Sequence, residues 1–278
     1  MAAPAFELPP PGGQPSHEHH PGKIVWADLV TPDLAAAEHF YGALFGWTFE
    51  HIRAGRADYV VAKVDGRAIG GILQRPIIKG EQRQPAWLTF IAVRDVDDAR
   101  RLALSHGATS VTDPKTYPGR GRQAVLRGPD GAVFAVLAAS GGDPPDLLAE
   151  PGEWIWSALL TRDPGQSAAF YQTVFGYDVF DTESDDGAEH VVLSSDDYAR
   201  ASANSLPAGG RRHPHWLDFV RVSDAEEAAN KAVALGGRIL VKPHEGGHGG
   251  KVAVVADPAG APFGLMEWSD LGGDAETK

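Results

Sequence analysis

The sequence predicts an α+β fold of four βαβββ modules in two tandem units, and three observations carry that expectation. The stretch "WADLVTPDLAAAEHFYGALFGWTFE" at residues 26–50 returns as "WSALLTRDPGQSAAFYQTVFGYDVF" at residues 156–180. Beyond it the register holds: Trp87 matches Trp216, Asp95 matches Asp224, Gly107 matches Gly236 and Gly131 matches Gly260, each at an offset of 129. A repeat unit this long is a duplicated domain and not a solenoid repeat. Within each unit, moreover, a strand, turn and helix pattern starts twice, so each unit reads as two modules.

The elements follow in order. Residues 1–23, rich in Pro, Gly and His, are expected to form a disordered or loosely attached tail. The first domain is expected over residues 24–140. It opens with the apolar strand "KIVWADLV", after which Asp33 suits a helix N-cap. Leu34, Ala37, Tyr41, Leu44 and Phe45 then recur at helical spacing, and Gly46 lies where a left-handed C-cap belongs. Three short strands occupy "ADYVVAKVDGRAIGGILQ" and its approach. The pattern restarts with "AWLTFIAV" as strand, a helix capped by Asp95 and closed by Gly107, and strands through "RQAVLRGPDGAVFAVLAA". Residues 141–153, "GGDPPDLLAEPGE", form the linker. The second domain, residues 154–268, repeats the order from "EWIWSALL", with Asp163 as N-cap and Pro164 at the first helical position. Residues 269–278 are left as a C-terminal tail.

Composition narrows the function. The chain has 278 residues, 43% of them hydrophobic, enough for two packed domains. With no cysteine it can hold neither a disulfide nor a thiolate metal site nor a cysteine nucleophile. A formal net charge of -12 without a basic stripe argues against nucleic acid as a partner. No apolar run approaches the roughly 20 residues that span a bilayer, and the N-terminal residues lack the regions of a signal peptide. A cytoplasmic location is therefore expected, with a small organic molecule, hydrophobic or aromatic, as the partner. The chain itself is expected to be a monomer acting as a pseudo-dimer, or a loose homodimer. Phosphate-binding loops, dinucleotide fingerprints and nucleophile elbows are absent.

The helix motif "VTPDLAAAEHFYGALFGW", the mid-unit "VRDVDDA" and the closing "GPDGAVF" or "DPAGAPF" together resemble the vicinal oxygen chelate superfamily, that is, glyoxalase I, extradiol dioxygenases and bleomycin and fosfomycin resistance proteins. A tandem glyoxalase-like subgroup is the nearest match. The resemblance covers about residues 24–139 and 154–268. It implies that each pair of modules closes a U-shaped β-sheet cleft, and hence two pseudo-symmetric clefts in one chain. It also implies where a divalent metal would be held. Those positions here are Trp26 and Trp156 on the opening strands, Leu88 and Leu217 on the mid-unit strands, and Ala135 and Gly264 on the closing strands. None offers an oxygen or imidazole ligand, so no metal or other cofactor is expected there.

The tryptophans then either offer a flat apolar floor to a ligand or plug a vestigial cavity. Asp28 shares a strand face with Trp26 and is expected in the first cleft, where a carboxyl against an indole could exchange a proton with substrate; the plainer alternative is a rim carboxylate paired with an arginine. Its counterpart is Ala158, so the two clefts are chemically unequal. His215, by strand parity with Leu217, is the second catalytic candidate, or else a solvated strand end. Tyr59 and its counterpart His190, with Tyr117 and Arg120 in the first mouth loop, complete the expected binding residues. A relocated metal site from His213, His215, His244, Glu245 and His248 is a further alternative. The resulting expectation is a metal-independent enzyme using acid-base chemistry, of isomerase, cyclase or lyase type. The alternatives are a non-catalytic drug or metabolite binding protein, or a lyase or dioxygenase with relocated histidine ligands.

Overall fold

A computed structural model describes residues 7–54, 57–75, 84–183, 189–206, 213–246 and 249–268. The first unit runs β1 (Ile24–Thr31), α1 (Leu34–Phe45), β2 (Thr48–Ala54), β3 (Ala57–Val64), β4 (Arg67–Gln74), β5 (Ala86–Ala92), α2 (Val96–Ser105), β6 (Thr109–Ser110), β7 (Lys115–Tyr117), β8 (Gly121–Arg127) and β9 (Val133–Ala139). The second runs β10 (Trp154–Thr161), α3 (Pro164–Phe175), β11 (Asp178–Glu183), β12 (Glu189–Ser195), β13 (Tyr198–Ser205), β14 (His215–Arg221), α4 (Ala225–Ala234), β15 (Arg238–Glu245), β16 (Lys251–Ala256) and β17 (Pro262–Met266).

All four helices start as their sequences dictate. The carboxylates of Asp33, Asp95, Asp163 and Asp224 accept hydrogen bonds from the backbone N–H three residues on. Each such cap is worth roughly 1 kcal/mol. Gly46 and Gly176 end α1 and α3 in the left-handed region, at φ 76° and 73°, a conformation that spares glycine the Cβ penalty.

Each unit is one sheet, ordered β2-β3-β4-β1-β5-β9-β8-β6 in the first, with β7 added on β8, and β11-β12-β13-β10-β14-β17-β16-β15 in the second. The modules join at the centre, where β1 pairs antiparallel with β5 and β10 with β14. One face of each sheet carries its helices, and these faces meet across the units. One core joins Phe40, Tyr41 and Trp87 of the first unit to Val220, Ala229 and Phe263 of the second, and a second core joins Phe134 and Val136 to Tyr171 and Trp216. The units therefore share their outer cores, and the opposite, concave faces are left to form the two clefts.

The segment expected as a loose tail is anchored at several points from Leu8 onward, with exposed stretches at residues 13–15 and 17–19. Leu8 is 4% exposed, its N–H donates to the Pro118 carbonyl at 2.9 Å, and Arg120 Nε donates to the Pro9 carbonyl at 3.0 Å. Further along, the Gly22 N–H donates to Ala92 O and the Asp143 N–H to Glu18 O. Prolines at positions 9–11 carry no N–H, so the extended segment crosses the cleft with few backbone donors to satisfy.

Candidate functional site

The first cleft is filled by a charged aromatic cluster. On β1 Trp26 and Asp28 project to the same side, and β3 brings Tyr59 beside them. Tyr59 OH donates to Asp28 Oδ1 at 2.7 Å, and Trp26 Nε1 donates to the same oxygen at 2.8 Å and lies 3.1 Å from Tyr59 OH. The Arg120 guanidinium lies over the Trp26 ring, 4.1 Å from its centroid, and 5.5 Å from that of Tyr59. Trp26, Asp28, Tyr59 and Arg120 are all buried, with Arg120 at 0% exposure beneath Leu8 and Pro9. Burial pushes the Asp28 carboxyl above its ordinary range, opposed by the charge of Arg120 and by the hydrogen bonds from Tyr59 and Trp26. The Tyr59 phenol is pushed well up by burial and by the Asp28 carboxylate. Both Nη atoms of Arg120 are buried without a hydrogen-bond partner among the described residues.

Gly71 makes this cluster possible. It pairs with Asp28 across β1 and β4, and a Cβ there would stand 1.9 Å from Tyr59 OH and 2.3 Å from Asp28 Oδ1. In the second unit the matching pair is Ala158 and Ser202. Ser202 Oγ accepts the Trp156 Nε1 hydrogen at 3.1 Å and so takes the part of the missing carboxylate. Four substitutions are thus coupled: Asp28, Gly71, Tyr59 and Arg120 in one cleft answer to Ala158, Ser202, His190 and Gly249 in the other.

The second cleft is more open. Ala158, Leu217, Phe219 and Met266 form its buried floor, and Trp156, Leu160, Val252, Val254 and Trp268 line it while remaining partly exposed. Phe219 lies flat across Gly264, where a Cβ would meet its ring at 2.0 Å. His190 is half-buried on β12 opposite Asn204, whose Oδ1 is buried without a partner among the described residues. His215 shares the face of Leu217, half-buried, with Nδ1 2.9 Å from the His213 carbonyl.

The remaining expected residues sit nearby. Leu88 pairs with Asp28, and Leu88 and Tyr117 are partly buried against the first-cleft cluster. Lys115 Nζ sits 4.7 Å over the Tyr117 ring. His213 and His244 are exposed, and His248 lies outside the described residues. Among the described residues no three His, Asp, Glu or Cys side chains come together as a metal site. Across the sheets Trp26 pairs with Phe90 and Phe90 with Ala135, just as Trp156 pairs with Phe219 and Phe219 with Gly264. These rows offer carbon and an indole donor, a set that does not fit a divalent cation.

Reasoning from sequence missed Leu8, the Gly71 and Ser202 exchange, the Phe219 and Gly264 pair, and the depth of Arg120. The aligned "IGGIL" and "RASAN" carry the second of these, legible only once β1 is known to pair with β4.

Two concave sheets of paired βαβββ modules define a class of proteins with small-molecule clefts. This chain belongs to the glyoxalase/bleomycin resistance protein/dioxygenase superfamily, whose family model matches residues 23–136, while a glyoxalase-like domain model matches residues 156–266. The putative glyoxylase CFP32 of Mycobacterium tuberculosis is 32% identical over 252 residues, 90% of this chain and 96% of the relative. The anthracycline biosynthesis protein DauV of Streptomyces sp. (strain C5) is 30% identical over 259 residues, 89% of this chain and 94% of the relative. The Mn(II)-bound glyoxalase of Novosphingobium aromaticivorans shares the fold, with a TM-score of 0.62 at 16% identity over 89% of this chain and 82% of that one.

Proposed function

We propose that this protein binds a flat, largely apolar aromatic molecule in its second cleft without the help of a metal. The observation that carries this reading is the exposure of Trp156: its counterpart Trp26 is 2% exposed under the chain's own N-terminal segment, whereas Trp156 stays open to the cleft. An indole beside Phe219, Leu217 and Met266 offers the stacking surface and apolar area on which such ligands are held, with His190, Asn204 and His215 as polar groups that orient one edge. The relative DauV is named for anthracycline biosynthesis, and anthracyclines are flat fused-ring aromatics, which agrees with this ligand class. Titration calorimetry with 1,8-dihydroxyanthraquinone tests it. Trp156→Ala is expected to weaken binding by about ten-fold or more; unchanged affinity in a folded Trp156→Ala protein overturns the reading.

A second reading, acid-base catalysis in the first cleft, is favoured by the burial of Arg120 beside Asp28 and Tyr59, its Nη atoms meeting no geometric hydrogen-bond partner among the described residues. A ligand that displaced Leu8 and Pro9 would give that guanidinium acceptors and meet a carboxyl whose pKa burial raises. Under this reading Asp28→Asn leaves ligand binding intact and abolishes turnover, followed by mass spectrometry of the incubated compound. Turnover that survives Asp28→Asn removes it.

A further inference from the structure

At the junction between the units, bordering the first cleft through Trp26, lies a partly open cavity of about 700 Å³. Its walls are the N-terminal segment, the starts of β1 and β4, and the linker, with Val25, Trp26, Ala27, Ile69, Leu147 and Trp154 among its apolar lining. Asp28, Tyr59 and Arg120 do not line it. Asp218 of β14 and Ser157 of β10 do.

Asp218 is the unusual group. It is 2% exposed, accepts a hydrogen bond from Ser157 Oγ at 2.6 Å, and takes Thr89 Oγ1 at 3.0 Å on each of its oxygens. Two hydroxyls satisfy part of a carboxylate but do not neutralise it, and no cation pairs with Asp218 among the described residues. The cations that line the cavity are engaged elsewhere: Lys23 pairs with Asp146 at 2.7 Å and Arg67 with Glu153. Glu150 and Glu153 also line the cavity, so together with Asp218 its charges sum to the acidic side. A buried anion without a counter-charge, facing an apolar space large enough for a drug-sized molecule, is the complement of an amphipathic cation.

We propose that this junction cavity is a separate ligand site for a small apolar amine, its ammonium donating to the Asp218 carboxylate and its hydrocarbon body lying against Ile69, Leu147 and Trp154. This site goes beyond the aromatic cleft, uses different residues and stands or falls without it. Burial raises the Asp218 carboxyl to about 6, with the hydrogen bonds from Ser157 and Thr89 opposing, so at neutral pH it is largely ionised and an arriving ammonium would relieve the cost of that charge.

The experiment uses full-length protein carrying 5-fluorotryptophan, with resonances assigned by single Trp→Phe substitutions. The probes are 1-naphthylmethylamine and its neutral isostere 1-naphthylmethanol. The expected result is saturable binding of the amine that moves the Trp154 fluorine resonance and leaves that of Trp156 in place, with the alcohol about ten-fold weaker. Asp218→Asn, which keeps the shape and an acceptor for Ser157, is expected to reduce the amine to the level of the alcohol. Should that variant not fold, the amine and alcohol comparison on the wild-type protein decides. Equal affinity for both probes, a shift at Trp156 instead of Trp154, unchanged amine binding by folded Asp218→Asn, or no saturable binding overturns the proposal.

Discussion

The two clefts descend from one design and have been finished in opposite ways. In the first, a carboxylate, a phenol, an indole and a guanidinium are packed together under Leu8 and Pro9, with little exposure left. In the second, the carboxylate is Ala158, the phenol is His190, the guanidinium position is Gly249, and the indole of Trp156 turns to Ser202 for its hydrogen bond. What the difference teaches is that one indole N–H can be satisfied in two ways, and the choice decides whether a cleft becomes core or remains a surface. A buried carboxylate demands a buried cation, because each charge cut off from water is costly without the other. A serine imposes no such demand.

The strongest way to break this comparison is to remove the cation. Arg120→Met strands Asp28 in an apolar site and takes the guanidinium off the Trp26 ring; a loss of about 3–5 kcal/mol in urea unfolding at neutral pH is expected. No change would mean that the cluster is not held by its charges. A gentler pair of substitutions exchanges the two solutions. Gly71→Ser drives a Cβ into the Tyr59 and Asp28 hydrogen bond and should cost roughly 1–3 kcal/mol. Ser202→Gly, which only withdraws the acceptor from a half-exposed indole, should cost about 1 kcal/mol. Equal losses would erase the distinction.

A pH-dependent effect is expected where the units meet. The Asp218 carboxyl is raised to about 6 from an ordinary 3.8, so between those values the folded protein holds a proton that the unfolded chain has released, and stability falls as pH rises through the window. Asp218→Asn removes that slope. Relative to the wild-type protein its unfolding free energy should gain by roughly 2 kcal/mol between pH 4 and pH 7, measured by urea denaturation. A wild-type and variant difference that does not change with pH would refute the raised carboxyl.

Much of this was legible in the sequence, and particular residues explain why. Helix starts are local: Asp33, Asp95, Asp163 and Asp224 each satisfy the N–H three residues on, so the chain announces them. Strand alternation likewise puts Asp28 beside Trp26, where the structure has them sharing a hydrogen bond. What stayed hidden depends on pairs distant in the chain. The Gly71 and Ser202 exchange acquires meaning only through the parallel pairing of β1 with β4 and of β10 with β13. The packing of residues 7–11 has no periodicity to reveal it, since a proline-rich segment reads alike whether it lies on a protein or in water. Nothing in the sequence around Asp218 marks it out, because its partner Thr89 lies in the other unit.

The central claim is that the second cleft, not the first, receives the aromatic ligand. Fluorine NMR of the 5-fluorotryptophan protein, titrated with 1,8-dihydroxyanthraquinone, tests it most directly. The account predicts that the Trp156 resonance shifts with saturation while that of Trp26 stays fixed. A saturating shift at Trp26 with Trp156 unmoved would contradict it and transfer the ligand to the cleft of Asp28.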